Sequence, residues 1–143
     1  MVKSVLLEQI NKDNDEEKPA AAIALLDFYE IGVNDLYESG KTIIHLLAEN
    51  GQNETLKWLM FVKDDVDIKT KDNEGNTALH CAVREGFLSC ATVLLESIQD
   101  VQEKAEYVND FNYKYEYPVQ LTNFHPMKQM LIYAGAIDSA EAG

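Results

Sequence analysis

Asp72-Asn73-Glu74-Gly75-Asn76-Thr77-Ala78-Leu79-His80-Cys81-Ala82-Val83-Arg84-Glu85-Gly86 decides the fold of this chain. Asp72 through Gly75 is a turn signal in which Gly75 is free to take positive φ. Thr77 is placed to cap a helix running through Leu79, Cys81, Ala82 and Val83 to Arg84-Glu85. Gly86 stops that helix, being the residue type that best tolerates left-handed backbone at a helix end. A second helix is predicted next, with Leu88, Ala91, Leu94 and Leu95 spaced into one apolar stripe.

The same plan stands upstream. Gly40-Lys41-Thr42-Ile43-Ile44-His45 and Gly51 match Gly75 through His80 and Gly86 at a constant offset of 35 residues. Thr42 is the cap, Ile43, Ile44, Leu46, Leu47 and Ala48 make a short buried helix, and Glu49-Asn50-Gly51 turns. Leu56, Leu59 and Met60, with Trp58 alongside, supply the second helix. The polar link 62–71, with spaced β-branched residues, suits an extended hairpin finger. A period in the thirties, opened each time by Gly-x-Thr-x-apolar-His, marks stacked helix–turn–helix repeats, a scaffold that generally presents a binding surface.

These residues closely resemble the ankyrin repeat, whose pattern runs Asp-x-x-Gly-x-Thr-Pro-Leu-His-x-Ala with a further Gly four residues on. Residues 72–95 match it at almost every diagnostic position, with Ala78 in place of Pro. Residues 40–60 match less fully, with Tyr37 where the opening Asp belongs and Ile43 for Pro. The resemblance implies an all-α ankyrin-repeat solenoid of helix-turn-helix units with short β-hairpin fingers, forming one domain over residues 1–143.

The flanks are read as atypical terminal units, as expected of repeat proteins. Residues 1–36 form an N-terminal cap, with Val5, Leu6 and Ile10 on a short helix and Pro19 opening a helix over 20–29. The regular units are 37–71 and 72–109. In the second, helix-forming sequence runs about seven residues past the family spacing, predicting one elongated outer helix over 88–106. Val108-Asn109 resembles the start of a finger, and Tyr117-Pro118-Val119-Gln120 stands where Thr-Pro-Leu-His belongs. Residues 110–137 are thus a degenerate C-terminal cap, with Pro126 opening a last helix over 127–133, His125 in the preceding turn, and 138–143 as a frayed tail.

Length and composition agree. A chain of 143 residues with 46% apolar and 26% charged residues can bury a core. A net charge of −13 repels phosphate backbones and anionic lipid, so neither nucleic acid nor a membrane is expected as a partner, and a basic or neutral protein surface is. Cys81 and Cys90 read as interior thiols rather than a disulfide framework or zinc site. With no signal-peptide pattern and no apolar run long enough to span a bilayer, an intracellular protein, cytoplasmic or nuclear, is expected.

No catalytic residue, metal site or cofactor is predicted, and the chain is not expected to be an enzyme. The resemblance implies that His45 and His80 hydrogen-bond backbone at the base of the fingers and tie neighbouring repeats together. No nucleophile–base arrangement follows from the repeat plan, no Gly-Lys-Ser/Thr phosphate loop occurs, and the paired carboxylates lie on turns.

The family's ligand-facing positions fall on Glu38, Ser39, Lys41, Glu49 and Asn50 in one repeat. In the next they fall on Asn73, Glu74, Asn76, Arg84 and Glu85. In the third finger Phe111, Tyr113, Tyr115 and Tyr117 alternate with polar residues, which puts the rings on one face of an extended segment. Two of the four are expected in the core, with Tyr113 as an exposed anchor. Tyr115 takes the place of the turn glycine, so this finger is expected to depart from the family shape.

The function predicted is a protein-interaction module, an adaptor or occluding inhibitor that binds through fingers and concave inner-helix face. An independent protein, a pathogen effector or a regulatory segment of a larger protein would all look this way. The rival is a structural scaffold that self-associates through the elongated outer helix, along Ile98, Val101 and Ala105. A monomer is expected, and a dimer is the rival's prediction.

Overall fold

Two threonines start the inner helices. In the computed structural model, which describes Ala24, Asp27, Phe28 and residues 30–137, Thr42 caps α1 (Ile43–Glu49) and Thr77 caps α3 (Ala78–Glu85). Each Thr Oγ1 accepts from the backbone N–H of the His three residues on, and the His Nδ1 accepts in return from the Thr N–H at 3.2 Å. This is a capping box with imidazole in the usual Glu or Gln position. Gly51 and Gly86, at φ 74° and 80°, end these helices and turn the chain into the outer helices α2 (Asn53–Val62) and α4 (Leu88–Glu96).

The inner layer stacks α1 on α3 and α3 on a 3-10 turn, Pro118–Leu121; the outer layer runs α2, α4, then α6 (His125–Tyr133). One continuous core fills the space between them. Ile43, Ile44 and Leu47 of α1, Leu79 of α3, Leu56 and Leu59 of α2, Leu94 of α4, and Met127 and Leu131 of α6 are all completely buried. Helix α3 is sequestered from Ala78 through Val83 because neighbours stack on both its sides. Removing Leu79 to Ala in so enclosed a site would cost about 2–5 kcal/mol.

The expected continuous helix over 88–106 is instead two helices. Helix α4 stops at Glu96, Ser97 Oγ turns back to the Leu94 carbonyl at 2.6 Å, and Asp100 starts α5 (Val101–Val108) by accepting from the Glu103 N–H at 2.8 Å. Asp100-x-x-Glu103 is a helix start that overrides the helix propensity of its neighbours. The break turns Ile98 into the core, leaves Val101 exposed and Ala105 half-buried, and so removes the single apolar stripe the three were expected to form. Val108 is helical rather than the start of a finger. Asn109 donates to the carbonyls of Ala105 and Gly135, each at 2.9 Å, and accepts from the Ile137 N–H, fastening the C-terminal segment to α5.

His125 is the first residue of α6 and not part of the turn. Among the described residues no strand forms, so the fingers are tight turns rather than paired β-ladders. Of the helix expected over 20–29, Ala24, Asp27 and Phe28 are helical and exposed, and its other residues lie outside the described ones. The predicted early helix at Val5, Leu6 and Ile10 and the tail 138–143 lie outside the described residues.

Candidate functional site: finger tips and inner-helix face

The finger tips are built by side chains that stand in for backbone. Asp72 Oδ1 accepts from the N–H groups of Glu74 and Asn76, each at 2.9 Å, while the Asp72 N–H donates to the Asn76 carbonyl and Gly75 N–H to the Asp72 carbonyl. Asn112 does the same in the third finger. Its Oδ1 accepts from Lys114 at 2.9 Å and Glu116 at 3.0 Å, its N–H reaches the Glu116 carbonyl, and Tyr115 N–H closes on the Asn112 carbonyl. Short Asx side chains make this turn because they hydrogen-bond the backbone two residues on.

Contrary to expectation, the third finger therefore keeps the shape of the second. Tyr115 adopts φ 62°, the left-handed conformation that Gly75 takes at 80°. The two Asx-turn hydrogen bonds and the closing backbone pair hold it there.

Neighbouring tips join through a ladder. Asn73 N–H donates to the Ser39 carbonyl at 2.9 Å, and Tyr113 N–H donates to the Glu74 carbonyl at 3.0 Å. Beneath it, His45 Nε2–H donates to the Asn76 carbonyl at 2.8 Å and His80 Nε2–H to the Glu116 carbonyl at 3.0 Å. Because a carbonyl can only accept, both rings carry their proton on Nε2, which leaves Nδ1 to take the Thr N–H. Burial lowers both His pKa values below the ordinary 6.5, against the pull of the carbonyl hydrogen bonds. The implied structural role of these two residues is the one observed.

The expected partner-facing residues divide by burial. Glu38, Ser39, Asn50, Asn73, Glu74, Arg84, Glu85 and Tyr113 are exposed. Lys41 and Glu49 are half-buried and paired with each other at 2.6 Å, with Asp72 3.8 Å from the same ammonium. Burial alone would lower the Lys41 pKa, but the Glu49 hydrogen bond and the two carboxylates carry it above its ordinary value.

Asn76 is a correction. Its side chain is buried, accepts from Asn112 Nδ2 at 2.9 Å and lies beside Glu74, so it belongs to the joint between fingers and is closed to a partner. The Asn76–Asn112 contact occupies the place that Lys41–Asp72 occupies one unit earlier.

The aromatic run is a second correction. None of its four rings is in the core: Phe111 is 42%, Tyr113 65%, Tyr115 77% and Tyr117 37% exposed. They do not share one face either, because the Asx turn bends the segment that strict alternation assumed to be straight. Phe111, Tyr115 and Tyr117 cluster, with ring centroids 5.7 and 5.9 Å from Phe111, while Tyr113 leans over the tip of the second finger at Gly75.

Lys71 was not singled out in the sequence. Its ammonium donates to the Phe111 carbonyl at 2.8 Å, pairs with Asp110 at 3.0 Å and sits 5.4 Å from the Phe111 ring centroid. Asn112 was also missed, although it repeats Asp72 at the offset of 40 that relates Tyr117 to Thr77.

Both thiols are interior, and burial pushes Cys81 up to about 11, which leaves it protonated and unreactive at neutral pH. Among the described residues no group of His, Cys, Asp and Glu is arranged to hold a metal, and no helix is long and apolar enough to cross a membrane.

Residues 7–105 match the family model for ankyrin repeats in three copies. The chain is 38% identical over 93 residues to the poly [ADP-ribose] polymerase tankyrase of Caenorhabditis elegans, and 39% identical over 57 residues to inversin of Danio rerio. It is 24% identical over 96 residues to alpha-latrotoxin-Lg1a of Latrodectus geometricus. These matches take in 62%, 40% and 64% of this chain but only 4%, 6% and 7% of the relatives, so the likeness concerns their repeats. With the family model matched over more than half its length, the chain belongs to the ankyrin-repeat family, whose repeats are protein–protein interaction modules.

Proposed function

We propose that this chain binds another protein through its finger tips and the concave face of its inner helices, acting as an adaptor or as an inhibitor that occludes its target. The observation that carries this reading is the row of unburied polar side chains along consecutive tips and helix ends. Glu38 and Ser39, then Asn73 and Glu74, then Tyr113 follow one another on tips whose backbones are tied rigidly together. Asn50, Arg84 and Glu85 continue the row at the ends of α1 and α3. A partner meeting this row loses little entropy in ordering it, which favours affinity. The net charge of −13 favours a basic or neutral partner surface. The units 37–71, 72–109 and 110–137 would supply one finger each.

The test is capture of a partner from lysate by the wild-type chain beside the Glu74→Lys/Arg84→Glu/Tyr113→Ala variant, whose net charge is unchanged. A partner held by the wild type and lost by the variant supports this face as the binding surface. A partner held equally by both overturns it. The rival reading, self-association through one long outer helix, loses its basis in the break at residues 97–100.

A further inference from the structure

Among the described residues the third finger is the last of the ladder, and it carries an unusual residue at its tip. Where the first two fingers place Gly40 and Gly75 at φ 71° and 80°, the third places Tyr115 at φ 62°. Glycine is needed at position 75 for a second reason besides φ. A Cβ there would lie 2.6 Å from the backbone nitrogen of Tyr113, the group that docks the next finger. At Gly40 a Cβ would likewise collide with Asn73.

The Cβ and ring of Tyr115 fill the corresponding space above the third finger, and among the described residues no fourth finger follows. Another finger, a second copy of this chain or a partner's strand cannot dock its backbone here as Tyr113 docks on Glu74. Whatever meets this end of the stack must be read by side chains.

The side chains offered are Phe111, Tyr115 and Tyr117, clustered and all at least 37% exposed. A strained bulky residue kept on display where glycine would sit without strain points to a use for the ring. One flank of the cluster already carries a cation, since Lys71 lies 5.4 Å from the Phe111 centroid with its charge met by Asp110. The Tyr115 and Tyr117 rings have no such cation among the cation–ring contacts of the described residues. The field of a chain of net charge −13 concentrates cations around it.

We propose that Phe111, Tyr115 and Tyr117 form a site that reads a basic side chain, Lys or Arg, of the protein partner. Ring faces are electron-rich and attract ammonium and guanidinium groups. The proposal rests on the protein-binding reading above and adds the chemistry of the partner at one end of the surface.

The test titrates the full chain with hexa-arginine and with hexa-lysine at about 0.15 M salt, where long-range attraction is screened. Aromatic NMR signals report the site. Tyr115→Gly keeps the turn, Phe111→Leu keeps apolar bulk, and Tyr133→Leu removes an exposed tyrosine of α6 as a control. The expected result is that the signals of all three rings move together and that Tyr115→Gly and Phe111→Leu each weaken binding roughly two- to fivefold, the size of an exposed cation–π contact. Tyr133→Leu should bind as wild type does.

Shifts scattered over the acidic surface, with one affinity for all variants, overturn the proposal. If the peptides leave the rings unmoved while the Glu74/Arg84/Tyr113 test still separates wild type from variant, this proposal alone falls. If the rings respond but the captured partner ignores that triple substitution, the concave-face residues fall and the ring site stands.

Discussion

The second and third fingers make the same turn from different residues. Asp72 and Asn112 accept the same pair of N–H groups, yet at the left-handed position one finger has Gly75 and the other Tyr115. What differs is the neighbour. The third finger stacks on the second, so position 75 tolerates neither a Cβ nor its consequences, while position 115 faces open surface. A glycine in this repeat thus answers to two demands, backbone conformation and the approach of the next unit, and only the first operates at the end of the stack.

The sharpest way to break the comparison is Gly75→Ala. The added methyl meets both left-handed strain and the Tyr113 backbone and ring at 2.5–2.6 Å. We expect a loss of roughly 2–5 kcal/mol, the sum of a conformational penalty and overpacking. Chemical denaturation measures it. A loss below about 1 kcal/mol would mean that the third finger moves aside freely and that the ladder is not a rigid joint.

That demand explains what was legible in the sequence. Thr42, His45, Gly51 and their counterparts Thr77, His80 and Gly86 announced the fold because each serves local geometry, repeated unchanged. The burial of Asn76 was not legible, since it depends on Asn112 36 residues away donating to its side chain. The break at Asp100 was written in Asp100-x-x-Glu103 but masked by strong helix formers on both sides. The exposure of the third-finger rings followed from the Asx turn at Asn112, visible only when that residue is set against Asp72.

The histidines carry the comparison to pH. His45 and His80 are neutral, buried donors whose pKa values lie below 6.5 in the fold, chiefly from burial. An unfolded chain therefore binds protons at pH values where the fold does not. The stability these residues contribute is complete above pH 6.5 and is lost as pH falls from there through their lower folded values. The slope cannot exceed about 1.4 kcal/mol per pH unit for each His.

The third unit shows how to remove the effect, because Gln120 Oε1 accepts the Tyr117 N–H at 2.8 Å in the role His80 Nδ1 plays for Thr77. A His45→Gln/His80→Gln variant, compared with wild type by thermal melts from pH 7 to about pH 5.5, should lose less stability on acidification. Parallel curves would mean that both imidazoles titrate in the fold as they do in the unfolded chain.

The smallest effect is the most informative about position 115. Tyr115→Gly relieves left-handed strain of about 1–2 kcal/mol. Against this stand the greater flexibility of an unfolded glycine, about 0.5–1 kcal/mol, and the lost ring contact with Phe111, about 0.5–1 kcal/mol. The terms nearly cancel, so stability should change by less than about 1 kcal/mol, in contrast to the large cost at position 75. A large loss would show that the ring supports the fold, and the third finger would then be a structural cap like the residues beneath it. A change near zero leaves the tyrosine without a folding role to account for its place in a left-handed turn, and the reason for an aromatic ring there must lie in what it meets.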